Sequence, residues 1–427
     1  MTDRPDMRQA LHGLTEDLDR LLAVSDAQLA TGYPGDSGGR QPVHTAYVPA
    51  HQFGSDTARL WGSQALAALE EFASNPAEFA AVFALSPELG DTVRLLVQAK
   101  LTDEPIEDLR IDFEDGYGTR SDRTEDAHAR AAARSLRAVL GGEGAPPFAG
   151  IRCKSLEPKT RRRAISTIDA FLDAFCETSD PPFDFVITLP KVTSAAQVAA
   201  MNELCQRFEL ACRLRIRPRW LSFEIQVEAP QLILGPDGTA TIAQCVHAGR
   251  PRLVGLHYGT YDYSAAVGVS AAYQSLEHPA ADYAKAVMQV AAAGTGVRLS
   301  DGSSNVLPVG TRQEVVAAWQ LHARLVRRSL ERGFYQGWDL HPAQLVSRYA
   351  ATYAFYREGL SSAAGRLRAY AERASAGLEE PATGRALAAY LSRGLDCGAF
   401  TEAEIKERTG LDRSGLCTVR RRGIVPS

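Results

Sequence analysis

Residues 220–230, WLSFEIQVEAP, are the stretch whose reading decides the fold. The stretch alternates strictly. Phe223, Ile225 and Val227 share one face, and Glu224, Gln226 and Glu228 share the other, which is the two-residue period of a β-strand. Helical patterns flank it on both sides. That places the strand in an α/β protein, where both faces of a sheet are normally covered. Glutamates on a covered face are costly unless charge or hydrogen bonds compensate them. A cation is the simplest compensator, so its other ligands are sought along the rest of the chain.

Working outward, strand patterns precede this one at residues 43–48, 109–113, 148–154 and 185–189. They follow it at 253–258, 297–300 and 337–341. Helical patterns separate them. Strand then helix, repeated eight times over residues 43–360, predicts an α/β fold of the (β/α)8 TIM-barrel type. An open doubly wound sheet is the alternative, but it usually carries a Gly-rich phosphate turn after its first strand. Here that strand runs into Pro49-Ala50-His51-Gln52-Phe53.

Residues 1–42 read as an N-terminal segment with an amphipathic helix over 7–22 and a Gly-rich loop over 31–40. Residues 361–427 read as a helical C-terminal extension, with a capping box at Thr401 to Glu404. A lid, an oligomer arm and a packing element are all open for it.

Composition bounds the function. The chain has 427 residues, 45% hydrophobic and 23% charged, as in an ordinary globular protein. Its formal net charge of -4 argues against nucleic acid or an anionic membrane as the main partner. The seven cysteines form no CxxC pair and show no zinc spacing, so they read as reduced thiols and the protein as cytoplasmic. The first residues are charged and lack the apolar core of a signal peptide. No apolar run approaches the roughly 18 residues of a membrane span.

In a barrel the functional groups gather at the C-terminal ends of the strands. Those ends carry Glu114 and Asp115, Arg152 and Lys154, Lys191, Glu228, Gly259 to Asp262, Asp301, and Asp339 to His341. Glu228 and Asp262 are the best metal pair, because two carboxylates completed by waters and substrate oxygens suit Mg2+. The structural alternative is an ion network with Arg152 or Lys191. Arg152 can clamp a carboxylate in two-point fashion, or pair with Glu114. Glu114 and Asp115 can orient Arg152 or hold metal-bound water. Lys191 can contact a substrate carboxylate or pair with Glu228, and its acidic neighbours argue against a Schiff base. His341 is a candidate acid/base group, or a hydrogen-bonded residue before Pro342.

These strand ends carry a resemblance. Asp112-Phe113-Glu114-Asp115-Gly116, Ile151-Arg152, Leu189-Pro190-Lys191, Glu228, Gly259-Thr260-Tyr261-Asp262 and the run from Gly333-Phe334 to Asp339-Leu340-His341-Pro342-Ala343-Gln344 stand in a telling order. Over roughly residues 43–360 the chain resembles the HpcH/HpaI aldolase and citrate lyase beta-subunit superfamily. The fragments FEDGYG and YGTYDY also resemble malate synthase.

The resemblance implies a barrel that binds Mg2+ through Glu228 and Asp262. Arg152 would hold a keto-acid or acyl oxygen, and Gly259 and Thr260 would contact the substrate. It implies a carbon–carbon lyase acting on a hydroxy acid or its CoA thioester through an enolate, in a homo-oligomer. Lys154 stands where the family often has Asn, and Tyr261 where an acidic residue is common, so the substrate and the use of coenzyme A stay open. The alternatives are a malate-synthase-like condensation of an acyl-CoA with a 2-oxo acid, and a catalytically idle barrel that binds a metabolite.

Overall fold

The structure is a computed structural model that describes residues 7–140, 142, 144–177, 184–212, 219–374 and 380–423. Eight parallel strands form the barrel: β1 (His44–Pro49), β2 (Asp108–Asp112), β3 (Phe148–Arg152), β4 (Phe185–Leu189), β5 (Leu221–Val227), β6 (Leu253–Tyr258), β7 (Arg298–Ser300) and β8 (Gly337–Asp339). Each pairs with its sequence neighbour, and β1 also pairs with β8. A parallel bridge between Ser300 and Gln336 brings β7 to β8 and closes the ring. The TIM barrel expected from the strand–helix repeat is therefore present. β8 is shorter than its sequence pattern, because the amide N–H groups of Leu340 and His341 donate to Gln344 Oε1 instead of to a ladder.

The alternation of β5 sets its packing. Phe223, Ile225 and Val227 are fully buried in the apolar layer beneath the outer helices; full burial of such a side chain is worth about 1.5–3 kcal/mol. Glu224 and Gln226 point into the barrel and are buried as well. The barrel interior is ionic where branched aliphatics usually dominate. Arg110 of β2 reaches Asp108 Oδ2 at 2.7 Å and Glu224 Oε1 at 3.1 Å. His257 Nε2 lies 2.9 Å from Glu224 Oε2, and Thr188 Oγ1 donates to Glu224 Oε1 at 2.5 Å. Burial pushes the Glu224 carboxyl up, but Arg110 and His257 outweigh it and hold the group well below the usual carboxylate range. The expectation that a cation compensates the glutamates of this face is thus corrected for Glu224: an arginine and a histidine do so.

The N-terminal helix, Met7–Gly32, runs ten residues past the expected end and is exposed from Leu11 to Thr31. At the other end, the helix after β8 continues to residue 374. It shares an apolar core with the helices Pro87–Asp103, Pro381–Asp396, Glu402–Thr409 and Arg413–Arg422. Tyr353 donates to the carbonyl of Cys397, and Arg357 pairs with Glu404. The C-terminal helices pack along the barrel flank. No helix among the described residues is long and apolar enough to cross a membrane.

Candidate active site

The C-terminal mouth is organised by Asp112, the last residue of β2. The chain turns immediately after it, and Asp112 accepts the backbone N–H groups of Glu114 and Gly116, both at 2.9 Å. The turn needs glycine at 116, since a Cβ there would lie 2.7 Å from Asp112 Oδ2. Arg152, at the end of the neighbouring β3, donates Nε and Nη2 to the two oxygens of Asp112, each at 2.7 Å. Such two-point charged pairs are among the strongest side-chain contacts. The guanidinium also stacks over Tyr47, 4.8 Å from the ring centre. The edge of Arg152 expected to clamp a ligand is therefore spent on Asp112. Nη1 stands apart from that clamp, 3.4 Å from Glu114 Oε2.

Lys191 follows β4 and adopts the left-handed conformation, with φ 52°, which costs a non-glycine residue about 1–2 kcal/mol. The strained backbone turns its N–H toward Glu228 Oε2, at 2.8 Å. Its ammonium contacts Glu114 at 2.5 Å, both oxygens of Asp115 at 3.1 Å, and Asp262 at 3.9 Å. Burial opposes the charge, but Glu114 outweighs it and holds the Lys191 pKa above the ordinary lysine value. The amine stays protonated, as expected. The Glu114 pKa is raised, first by burial and also by the Asp115 charge, against Arg152.

Glu228, one residue beyond β5, differs from Glu224. It is buried, and burial together with the charge of Asp262 pushes its pKa up to about 7, against the Lys191 N–H and the Lys191 and Arg152 charges. Gly259 packs against it: a Cβ there would overlap Glu228 Cγ and lie 2.9 Å from Oε1. Asp262 sits in the first turn of the helix Thr260–Ala266 and is half exposed.

Glu228 and Asp262 line one cavity of about 350 Å³, with Asp112, Asp115, Arg152, Gly259 and Thr260. Tyr47, Tyr261, Ser303 and Trp338 complete its walls. Glu114 and Lys191 stand behind the lining, tied to it by the ion pairs above. Thr260 spends its hydroxyl on the Ser303 carbonyl, at 3.1 Å. His341 lies outside the lining: its Nδ1 accepts the N–H of Ala343, a local structural bond. Asp301 is also structural, bonded to Lys285 and Ser329. The residues that sequence reasoning missed are Asp112, Tyr47, Trp338 and Tyr261. Asp112 carried a signal, since it continues the inward series Asp108, Arg110.

Among the described residues no group of three or more His, Cys, Asp or Glu side chains has the geometry to hold a metal. Two carboxylates are nevertheless a sufficient protein donor set for Mg2+, which keeps several waters and often takes substrate oxygens. Glu228 and Asp262 fit that role, because Glu228 is a buried carboxylate that its protein neighbours leave under-compensated.

Residues 22–424 match the family model described as Domain of unknown function (DUF6986). No curated protein matches the sequence. Among solved structures, a citrate lyase from Burkholderia xenovorans LB400 is similar at 18% identity, covering 86% of this chain and 95% of its own, with a TM-score of 0.55. A Haloferax volcanii malate synthase in a magnesium/glyoxylate complex is 15% identical over 73% of this chain and 75% of its own, TM-score 0.47. A citrate lyase beta subunit from M. tuberculosis, complexed with oxaloacetate and magnesium, is 18% identical over 72% and 96%, TM-score 0.40. The likeness to the Burkholderia citrate lyase is one of fold, the (β/α)8 barrel.

Proposed function

The chain belongs to the DUF6986 family, and on that premise we propose that it is a Mg2+-dependent carbon–carbon lyase acting on a hydroxy acid or its CoA thioester. The observation that carries this reading is the Glu228 carboxylate. It is buried beside a second carboxylate, its pKa is pushed up to about 7, and it lies at the mouth where barrels place their chemistry. Glu228 and Asp262 would hold the ion. Bound there, Mg2+ would supply positive charge against a substrate oxygen.

The chain's own groups do the rest. Asp112 fixes the Arg152 guanidinium so that Nη1 meets a substrate oxygen. Lys191 stays an ammonium and holds Glu114 and Asp115 in place. In the cleavage direction the 3-hydroxyl loses its proton, the C2–C3 bond breaks, a carbonyl forms at C3, and the electron pair passes to the enolate, which a proton then quenches.

The test is calorimetry with Mg2+ on the wild type and on Glu228→Ala, followed by a screen of hydroxy acids and CoA thioesters for cleavage. Saturable binding lost in the variant, with cleavage of one class, supports the reading. Condensation without cleavage would replace it with a malate-synthase-like activity. No difference in Mg2+ binding would leave a metabolite-binding barrel.

Self-association belongs to the same reading. Leu11, Leu14, Leu18 and Leu21 are exposed on the N-terminal helix at alternating three- and four-residue spacing, the seam of a coiled coil. Deleting residues 1–30 should lower the number of chains per particle measured by light scattering. An unchanged number places the seam elsewhere.

A further inference from the structure

The N-terminal mouth of the barrel, at the opposite end from Glu228, is closed by segments outside the strand–helix repeat. The loop after the first helix brings Asp36. The helix Pro381–Asp396 brings Arg393, and Arg413–Arg422 brings Arg420. With Arg298, the first residue of β7, they line a cavity of about 230 Å³. Three guanidinium groups there face one lining carboxylate, so the lining carries two more positive groups than negative ones.

Arg420 donates Nε and Nη2 to Asp36 at 2.8 and 3.0 Å, while Arg393 approaches the same carboxylate only to 3.9 Å. Arg393 Nε is buried without a hydrogen-bond partner, and its guanidinium lies over Tyr335, 4.0 Å from the ring centre. The Arg298 guanidinium has no hydrogen bond or ion pair with any described residue. It reaches across the mouth to lie 5.5 Å from the centre of the Phe148 ring on β3. Burial lowers its pKa from the usual arginine value, against the pull of Asp108 and Glu224. A buried guanidinium N–H without a partner, as at Arg393 Nε, is expensive, and an anion between the arginines would supply the partner.

We propose that this mouth is a second binding site, for a small phosphate-type dianion held by Arg298, Arg393 and Arg420. The excess of two positive groups matches a dianion. Donors of Arg298 and Arg393 from two separate elements, with Arg420 held on Asp36 as a third positive charge, suit a tetrahedral oxyanion better than a flat carboxylate. The volume lies below the roughly 300–1,000 Å³ of sites for drug-sized ligands, so the site takes a phosphate group and not a nucleotide. Because the arginines come from β7 and from both C-terminal helices, the bound anion ties the extension to the barrel floor. The proposal is independent of the Glu228 site.

The experiment titrates orthophosphate into the full chain by calorimetry, at constant ionic strength, with malonate as the dicarboxylate arm. The wild type should bind one phosphate saturably. Arg298→Gln should bind it at least about tenfold more weakly, a loss of about 1.4 kcal/mol. Arg298 has no hydrogen bond or ion pair with any described residue, so this variant should melt close to the wild type without phosphate. Arg393→Gln gives a second reading of the same loss. Glu228→Gln should bind phosphate as the wild type does, which separates this site from the C-terminal mouth. Phosphate binding that is absent, or unchanged in both arginine variants, overturns the proposal. Malonate binding as tight as phosphate overturns the assignment to phosphate chemistry.

Discussion

Glu228→Gln should make the protein more stable at pH 8 and less able to hold Mg2+. A carboxyl whose pKa in the fold is raised stabilises the fold fully below its ordinary 4.5, and that stabilisation is lost as pH rises through about 7. At pH 8 the buried charge is present. The difference between 4.5 and about 7 then corresponds to a cost of about 3 kcal/mol. Glutamine keeps the oxygen that accepts the Lys191 N–H, and removes the charge. At about 2.1 cal/mol/K per residue, a 427-residue chain gains about 1 °C per kcal/mol. The variant should therefore melt about 2–3 °C above the wild type at pH 8 in chelator, and level with it at pH 5. Mg2+ should invert the order: at 1,000-fold over its Kd it adds about 4.1 kcal/mol to the wild type, more than the buried charge costs, and little to the variant. Scanning calorimetry at the two pH values, with chelator and with Mg2+, reads all four states. A variant that melts below the wild type at pH 8 in chelator, or by the same margin at both pH values, refutes the reasoning.

Substitutions at three other positions probe the surrounding structure. Arg110→Ala leaves Asp108 and Glu224 buried without their cation, so denaturant unfolding should show a loss of about 3–5 kcal/mol, with Mg2+ affinity at the mouth nearly unchanged. Lys191→Gly and Lys191→Ala both remove the ammonium from Glu114 and should both depress turnover. The glycine variant should unfold about 1 kcal/mol harder than the alanine variant, because only glycine adopts φ 52° without strain. Gly259→Ala drives a Cβ into Glu228, and calorimetry should show Mg2+ bound at least about tenfold more weakly, about 1.4 kcal/mol.

The two glutamates of β5 show what the sequence could and could not reveal. A period of two gives the face of each side chain, and repeated eight times it gives the barrel, because each strand must bury its apolar face under a helix. It does not give the partner across the interior. Glu224 and Glu228 share a face and look equivalent along the chain, yet Arg110 meets Glu224 from a strand 114 residues earlier. That meeting exists only once β1 and β8 have closed the ring and curved β2 toward β5. The miss at Asp112 is one of register, since its role depends on Arg152 lying beside it on β3. The small part left to His341 is local: Gln344, three residues on, takes the backbone N–H that would have extended β8. The Lys191 N–H bond to Glu228 was invisible for another reason, since it rests on a left-handed backbone that nothing in a lysine announces. Depth along the barrel then separates the two carboxylates. Inside, Glu224 is matched by charge and held far below the ordinary carboxylate range. At the mouth, Glu228 has only the Lys191 N–H and the charges of Lys191 and Arg152, which burial and the Asp262 charge outweigh.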